Sequence, residues 1–298
     1  MATANAKSEL SLDTLISPHR TAVMGVLNVT PDSFSDGGEF VDPQVAIAHA
    51  TRMVAEGADI IDVGAESTRP YGGMRPVTTE IERARLEPVL PALVGLGPPV
   101  SIDTMKATVA DWAIRQGAAI ANDVWGLQRD PDMARVVADH GVPVIVMHNR
   151  DKADPAIDIV EDMLAFFERS LAIADTAGIR REQIVIDPGI GFGKTPEQSV
   201  IAVAQIARLK CFGLPILIGL SRKRFISSIV VSEPSERLGG SIAGHLLAVQ
   251  EGAVIVRTHD VFETVQALRV AEAIARARTG STRTGNAKSG SDRTGSDM

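Results

Sequence analysis

Residues 45–66 read VAIAHATRMVAEGADIIDVGAE, and this stretch holds the unit from which most of the chain is built. From Val45 to Ala55 apolar residues recur at helical spacing. Glu56-Gly57-Ala58-Asp59 then supplies a stop, because Gly57 can take the left-handed backbone that ends a helix. Asp59–Val63 is a short apolar run with β-branched residues, the pattern of a buried strand. A polar group, Glu66, follows it. The same helix-to-strand joint returns at Gln116-Gly117-Ala118-Ala119 and at Glu251-Gly252-Ala253-Val254.

Outward from this unit, strand-like runs lie at Val23–Leu27, Val100–Ile102, Ala119–Ala121, Val144–Met147, Ile184–Ile186, Ile216–Ile218 and Val254–Val256. Segments of helical spacing alternate with them, among them Glu80–Leu93, Ile159–Ala177, Ser199–Leu209, Ser241–Gln250 and Phe262–Ala275. Eight strand–helix units predict an α/β protein with a single (β/α)8 TIM barrel. A doubly wound open sheet is the alternative. It is weakened because no GxGxxG follows the first strand and no GxxxxGK[ST] occurs. Residues 1–18 are polar and mixed and read as a flexible leader, 19–277 as the barrel. Residues 278–298 are Ser, Thr, Gly, Asp, Lys and Arg with almost nothing apolar. They read as a disordered tail, since little buried surface offsets the entropy of ordering.

Composition narrows the function classes. Of 298 residues, 45% are hydrophobic, enough for a large core. Aromatics are few, with eight Phe, two Trp and one Tyr. A core of Ala, Val, Ile and Leu suits parallel strands wrapped by helices. Lys and Arg number 30 against 37 Asp and Glu, a net charge of −7. That balance argues against general nucleic-acid binding and leaves open a local basic pocket for a small anion. The single cysteine, Cys211, excludes an internal disulfide or a thiolate metal cluster. No apolar run approaches the ~18–20 residues of a membrane span, and the N-terminal residues lack a signal-type apolar segment. The expectation is a cytoplasmic protein without membrane partners.

In a TIM barrel the chemistry sits at the C-terminal strand ends. Those ends carry Asn28; Glu66-Ser67-Thr68-Arg69-Pro70; Asp103; Asn122-Asp123; His148; Asp187; Ser221-Arg222-Lys223-Arg224 after Gly219; and Arg257-Thr258-His259-Asp260. One polar residue after a strand is commonly a loop or cap residue; eight on one rim point to a site. Asp103, Asn122 and Asp187 suit a flat heterocycle with amino and ring N–H groups. Lys223, Arg257 and His259 are donors or cations that suit phosphate or diphosphate. Lys223 and Arg257 have a second reading, as structural ion pairs of Asp103 or Asp187. The long Gly/Pro loops around Phe34 and around Tyr71–Pro76 read as lids or as plain surface loops. His148, a lone histidine after a strand, is open between structural and catalytic roles. No HxxxH or His/Cys cluster occurs, which argues against a tight transition-metal site. A Mg²⁺ held by substrate phosphates and one oxygen of Asn28 is compatible with the sequence. Ser221 lies in GLSRK, which lacks the GxSxG turn of a serine nucleophile.

The run Met24-Gly25-Val26-Leu27-Asn28-Val29-Thr30-Pro31-Asp32-Ser33-Phe34-Ser35-Asp36-Gly37-Gly38 strongly resembles the dihydropteroate synthase family of folate biosynthesis. The resemblance continues in order through Asp62–Pro70, Ser101–Thr104, Asn122-Asp123, Asp187–Lys194, Gly219–Phe225 and Arg257–Val261, and covers about residues 20–276. It implies condensation of (7,8-dihydropterin-6-yl)methyl diphosphate with 4-aminobenzoate to 7,8-dihydropteroate and diphosphate, by an SN1-like route. By the same resemblance Asp103, Asn122, Asp187 and Lys223 match pterin-binding positions, and Asn28 matches the Mg²⁺/diphosphate position. Thr68, Arg257 and His259 match diphosphate contacts, and Asp36 and Arg69 match lid residues. Phe34, Pro70, Phe192 and Ser221 match the aminobenzoate surroundings. Asp103, Asp36, Arg69 and Lys223 are the implied catalytic set. The family also implies a homodimer and inhibition by sulfonamides. Three departures stand out: a longer Tyr71–Pro76 segment, Arg224 where Ser is common, and Thr258 where Val is commoner. Two other readings share the barrel: a non-catalytic pterin-binding paralogue, and a methyltransferase that passes a methyl group from a folate to a corrinoid protein. Diphosphate release separates the synthase from both.

Overall fold

The computed structural model describes residues 11–17, 20–30, 42–66 and 77–285. Eight parallel strands close into one barrel in sequence order: β1 (Ala22–Asn28), β2 (Ile60–Gly64), β3 (Val100–Asp103), β4 (Ile120–Asp123), β5 (Val144–Met147), β6 (Ile184–Asp187), β7 (Ile216–Gly219) and β8 (Ala253–Thr258). β8 pairs back onto β1, with Met24 opposite Arg257. Closure removes both sheet edges and rules out the open doubly wound alternative.

The helices are α1 (Leu12–Leu15), α2 (Pro43–Ala55), α3 (Thr79–Leu86), α4 (Leu90–Val94), α5 (Ala107–Arg115), α6 (Met133–His140), α7 (Ile159–Ala177), α8 (Pro196–Ala204), α9 (Arg224–Ile229), α10 (Leu238–Gln250) and α11 (Val261–Gly285). The Glu80–Leu93 segment, expected as one helix, is split into α3 and α4. Pro88 lacks an amide donor, so the helical hydrogen-bond ladder breaks there and the first helix stops. Gly57, Gly117 and Gly252 end their helices with φ of 100°, 115° and 116°, the conformation read from the repeated joint.

The pleat sorts side chains into two cores. Val23, Leu27, Ile61, Val63, Ile102, Ala121, Val146, Ile186, Ile218 and Val256 pack outward under the helices. Met24, Ile60, Ile120, Ile145, Val185, Leu217 and Ile255 fill the interior. Alternation then fixes what comes two residues later on the inner face. Asp62 follows Ile60, Asn122 follows Ile120, Asp187 follows Val185 and Arg257 follows Ile255. Register places Asp62 opposite Ser101, Gly64 opposite Asp103 and Asp103 opposite Asn122.

Two boundaries differ from expectation. Leu12 of α1 is buried in the interior core, and Leu15 and Ile16 pack against it. The apolar floor of the barrel needs a cover, and the i, i+3, i+4 spacing of these three residues supplies one; residues 11–17 are therefore part of the folded unit. At the other end α11 continues to Gly285, past the expected limit at 277. Its Ala-rich run Ala271–Ala277 favours propagation from turns anchored by Leu268.

Candidate active site

The inner top layer is a charged network in an apolar barrel. The Arg257 guanidinium reaches from β8 to Asp62, with Nε at 2.7 Å from Oδ2, and to Asp103, with Nη2 at 2.7 Å from Oδ2. Asn122 Nδ2 donates to the same Asp62 carboxylate at 3.1 Å. Asp62 is fully buried. The second reading of Arg257, an ion pair with Asp103, is thus present in the structure; Asp62 rather than Asp187 completes it. Asp103 keeps one buried oxygen, Oδ1, without a hydrogen-bond partner among the described residues. Burial, partly offset by Arg257 and reinforced by Asp62, pushes Asp103 up to about 7. Burial also raises Asp187, whose Oδ1 accepts from the Gly189 amide at 2.7 Å.

A second cluster comes from the β6, β7 and β8 loops. After Gly219, Arg222 holds φ of 58°, a costly conformation for a side chain of its size. It is fixed by its pair with Asp260 and by the Ser241 hydroxyl, which accepts from the Arg222 amide at 3.0 Å. This turn brings Lys223 Nζ to 4.1 Å from the Phe192 ring centroid. The Ser221 hydroxyl accepts from the His259 amide at 3.2 Å and lies 3.0 Å from His259 Nδ1. Burial, with Arg257 next in importance, lowers the His259 pKa to about 3 and favours the neutral imidazole.

Asp103, Asn122, Asp187 and Arg257 thus share the barrel mouth, and Phe192, Ser221, Lys223 and His259 share its β6–β8 side. Asn28 stands half-buried at the end of β1. Phe34, Asp36, Thr68, Arg69 and Pro70 lie outside the described residues. Asp123, beside Asn122 in sequence, faces the other way and caps the amides of Trp125 and Leu127 at 2.9 and 2.6 Å. His148 is fully buried, with Nε2 3.0 Å from Asp162 and Nδ1 2.6 Å from Lys194 Nζ. Those bonds decide for the structural role.

Asp62 lies within β2 and not after it, so it is not among the polar strand ends. Its phase with Ile60 was the available signal, since an Asp two residues beyond an inward apolar residue must also point inward. Glu66 accepts from the Val77 amide at 3.1 Å and from Lys106 Nζ at 2.5 Å, and Lys106 also bonds the buried Glu82 at 2.6 Å. No local pattern marks that clasp. Lys194 is fully buried, and only its glycine-rich context hinted at it.

Known proteins share this layout. A family described as pterin binding enzyme matches residues 24–259. The dihydropteroate synthase of Clostridium beijerinckii is 46% identical over 259 residues, covering 86% of this chain and 95% of that one. The structure of the Clostridium difficile dihydropteroate synthase in the presence of pteroic acid superposes with a TM-score of 0.82 at 47% identity, over 86% of this chain and 97% of that chain. The Xanthomonas albilineans enzyme with 4-aminobenzoic acid gives 0.82 at 44% identity, over 86% and 93%. The chain belongs to the pterin binding enzyme family, among its dihydropteroate synthases.

Proposed function

We propose that the chain condenses (7,8-dihydropterin-6-yl)methyl diphosphate with 4-aminobenzoate, forming 7,8-dihydropteroate and diphosphate. The observation that carries this reading is the convergence of Asp62, Asp103, Asn122, Asp187 and Arg257 at the barrel mouth, where Asp103 Oδ1 is buried and has no hydrogen-bond partner among the described residues. A buried acceptor of that kind favours a ligand that brings its own N–H groups. Asp103, Asn122 and Asp187 would take the amino and ring N–H edge of the pterin.

The bond to break is the one between the pterin methylene carbon and the diphosphate oxygen. The leaving diphosphate keeps the electron pair, and the ring delocalises the cation. His259, Lys223 and Arg257 are described groups that would offset charge on the leaving group. Asp103 would stabilise the cation. The aryl amine then attacks the methylene carbon and releases a proton. A weakly basic aniline needs no strong base to reach a cation, so no general base is assigned. Phe192 and Ser221 would border the aminobenzoate, and Lys223 is held against the Phe192 face. Thr68, Arg69, Asp36, Phe34 and Pro70 keep the roles that the family resemblance implies.

Mg²⁺ fits the donor set as a partner of the substrate. Among the described residues no group of three His, Cys, Asp or Glu side chains could hold a metal. One neutral oxygen from Asn28 suits a hard cation whose other ligands are water and diphosphate. When bound, the ion would help neutralise the leaving diphosphate.

A homodimer is part of the proposal. Leu247 on α10 and Phe262, Val270 and Ile274 on α11 are exposed, as are Ile229–Val231 after α9. A second copy would cover apolar groups of this kind; light scattering that gives a monomer at micromolar concentration overturns this part. No helix of the described residues is long and apolar enough to cross a membrane. The exposed thiol of Cys211 suits a reducing compartment, and we assign the cytoplasm.

The test is a diphosphate-release assay with both substrates, with and without Mg²⁺ and a sulfonamide. Release that needs both substrates, falls without Mg²⁺ and is competed by the sulfonamide is expected. Pterin binding without release would favour the non-catalytic paralogue.

A further inference from the structure

The loop from Pro188 to Thr195 connects β6 to α8 and carries Phe192 at the candidate site. Lys194 does not extend from this loop into solvent. It folds back beneath it, 1% exposed, and all three ammonium hydrogens are used. Nζ lies 2.9 Å from the Gly189 carbonyl, 3.3 Å from the Phe192 carbonyl and 2.6 Å from His148 Nδ1. An ammonium has no acceptor capacity, so His148 Nδ1 must accept and Nε2 must carry the ring proton. That proton is donated to Asp162 Oδ2 at 3.0 Å, and Asp162 Oδ1 accepts from Arg150 at 2.7 Å. Asp162 and Arg150 are about a quarter exposed, at 24% and 27%. A continuous chain of hydrogen bonds therefore runs from two carbonyls of the loop, through Lys194 and His148, to a partly exposed ion pair between Asp162 on α7 and Arg150 after β5.

Backbone bonds shape the same turn. The Gly189 carbonyl also accepts from the Phe192 amide at 3.1 Å, which closes a tight turn around the lysine. The Gly189 amide is the donor to Asp187 Oδ1. One buried ammonium thus fixes the residue that orients Asp187 and the residue whose ring meets Lys223. Removing it would take this donor from the Phe192 carbonyl and from an imidazole nitrogen and leave the Gly189 carbonyl with the Phe192 amide alone, in a buried setting where unpaired polar groups are costly.

We propose that Lys194, backed by His148 and Asp162, is a positioning residue that locks the β6–α8 loop so that Asp187 and Phe192 stand correctly at the substrate pocket. This inference rests on the synthase reading above. The residues touch no substrate group themselves; they act through Gly189, Phe192 and Asp187. The charged groups around Lys194 are Asp187 on β6, Asp162 on α7, Arg150 after β5 and Lys223 after β7. Burial outweighs the two carboxylates and brings the Lys194 pKa down to about 7. Asp162 opposes that fall, so its charge supports the protonated lysine.

The test compares wild type, Lys194→Met, Asp162→Asn and the double variant in the diphosphate-release assay, with calorimetric binding of the pterin diphosphate and thermal melting alongside. Lys194→Met keeps the stem and removes the donors. It should lower kcat/KM by about a hundredfold, as expected for sub-ångström misplacement of binding groups, chiefly through KM. Asp162→Asn lies away from the pocket and should give a smaller loss in the same parameter. The double variant should fall no further than Lys194→Met alone, because both act through one chain. The alkaline limb of kcat/KM assigned to Lys194 should move to lower pH in Asp162→Asn and vanish in Lys194→Met. If Lys194→Met does not fold, the Asp162→Asn shift decides alone. Wild-type kinetics in both single variants, or melting losses with unchanged KM and pH profile, would overturn the proposal. A wild-type enzyme that releases no diphosphate would instead overturn the synthase reading.

Discussion

Replacing Asp62 with Asn removes one negative charge from the barrel mouth while nearly preserving shape. In the folded protein Asp62 accepts from Arg257 at 2.7 Å and from Asn122 at 3.1 Å, in a fully buried position. Breaking a buried pair outright costs about 3–5 kcal/mol, because the remaining ion is stranded. Here Arg257 keeps Asp103, and the Asn oxygen still accepts, so the loss should sit lower, at about 2 kcal/mol. For a domain of this size that lowers Tm by roughly 4–8 °C. The pH dependence carries more information. Asp62 is one of the charges that raise Asp103 from 3.8 to about 7. Between those two values the folded state holds a proton that the unfolded chain has released, so stability declines as pH rises through that window. Without Asp62 the Asp103 pKa drops and the decline shrinks. The cost of Asp62→Asn should therefore be greatest near pH 4 and smaller near pH 7. Urea denaturation of both proteins at several pH values measures it. Equal cost at all pH values, or a larger cost at neutral pH, would refute the coupling of Asp62 to Asp103.

Asp103→Ala should reduce diphosphate release by orders of magnitude, and a near-normal rate contradicts its assigned contact with the pterin. Leu12→Ala empties part of the barrel floor and should cost about 2–4 kcal/mol in chemical denaturation, while kcat/KM stays at the wild-type value because the floor is remote from the mouth. Gly189→Ala demands φ of 61° from a residue with a side chain and drives its Cβ into the His148 carbonyl oxygen; loss of folded protein or of pterin binding is expected, and a well-folded, fully active variant counts against the loop geometry. His259 has a folded pKa depressed to about 3 against a usual 6.5, so its contribution to stability is complete above pH 6.5 and is lost as pH falls toward 3. NMR of the His259 ring should show the neutral form at pH 5, and titration near pH 6.5 would show the ring to be solvated instead.

The barrel was legible because its signal repeats. Each of the eight apolar runs is flanked by helical spacing, and the Gly57, Gly117 and Gly252 joints mark the same helix-to-strand step. Much of the mouth was legible for a related reason, since Asp103 and Asp187 end their strands and Arg257 closes the last one. What escaped depends on tertiary geometry. Pairing of Arg257 with Asp62 joins β8 to β2, and nothing near either residue announces it. The neutrality of His259 follows from burial beside Arg257, which no local pattern encodes. Lys194 looks like a surface lysine until the glycine-rich turn folds it inward. The cover supplied by Leu12, Leu15 and Ile16 was not legible, because three spaced apolar residues are too short a signal without the floor they close.

The Asp62–Arg257 pair spans 195 positions of chain. During synthesis on the ribosome, β2 emerges long before β8, so its buried carboxylate waits for a counter-ion that has yet to be made. A chain that stops short of β8 lacks the arginine that this carboxylate pairs with, so the charge balance of the mouth is complete only once the ring is closed.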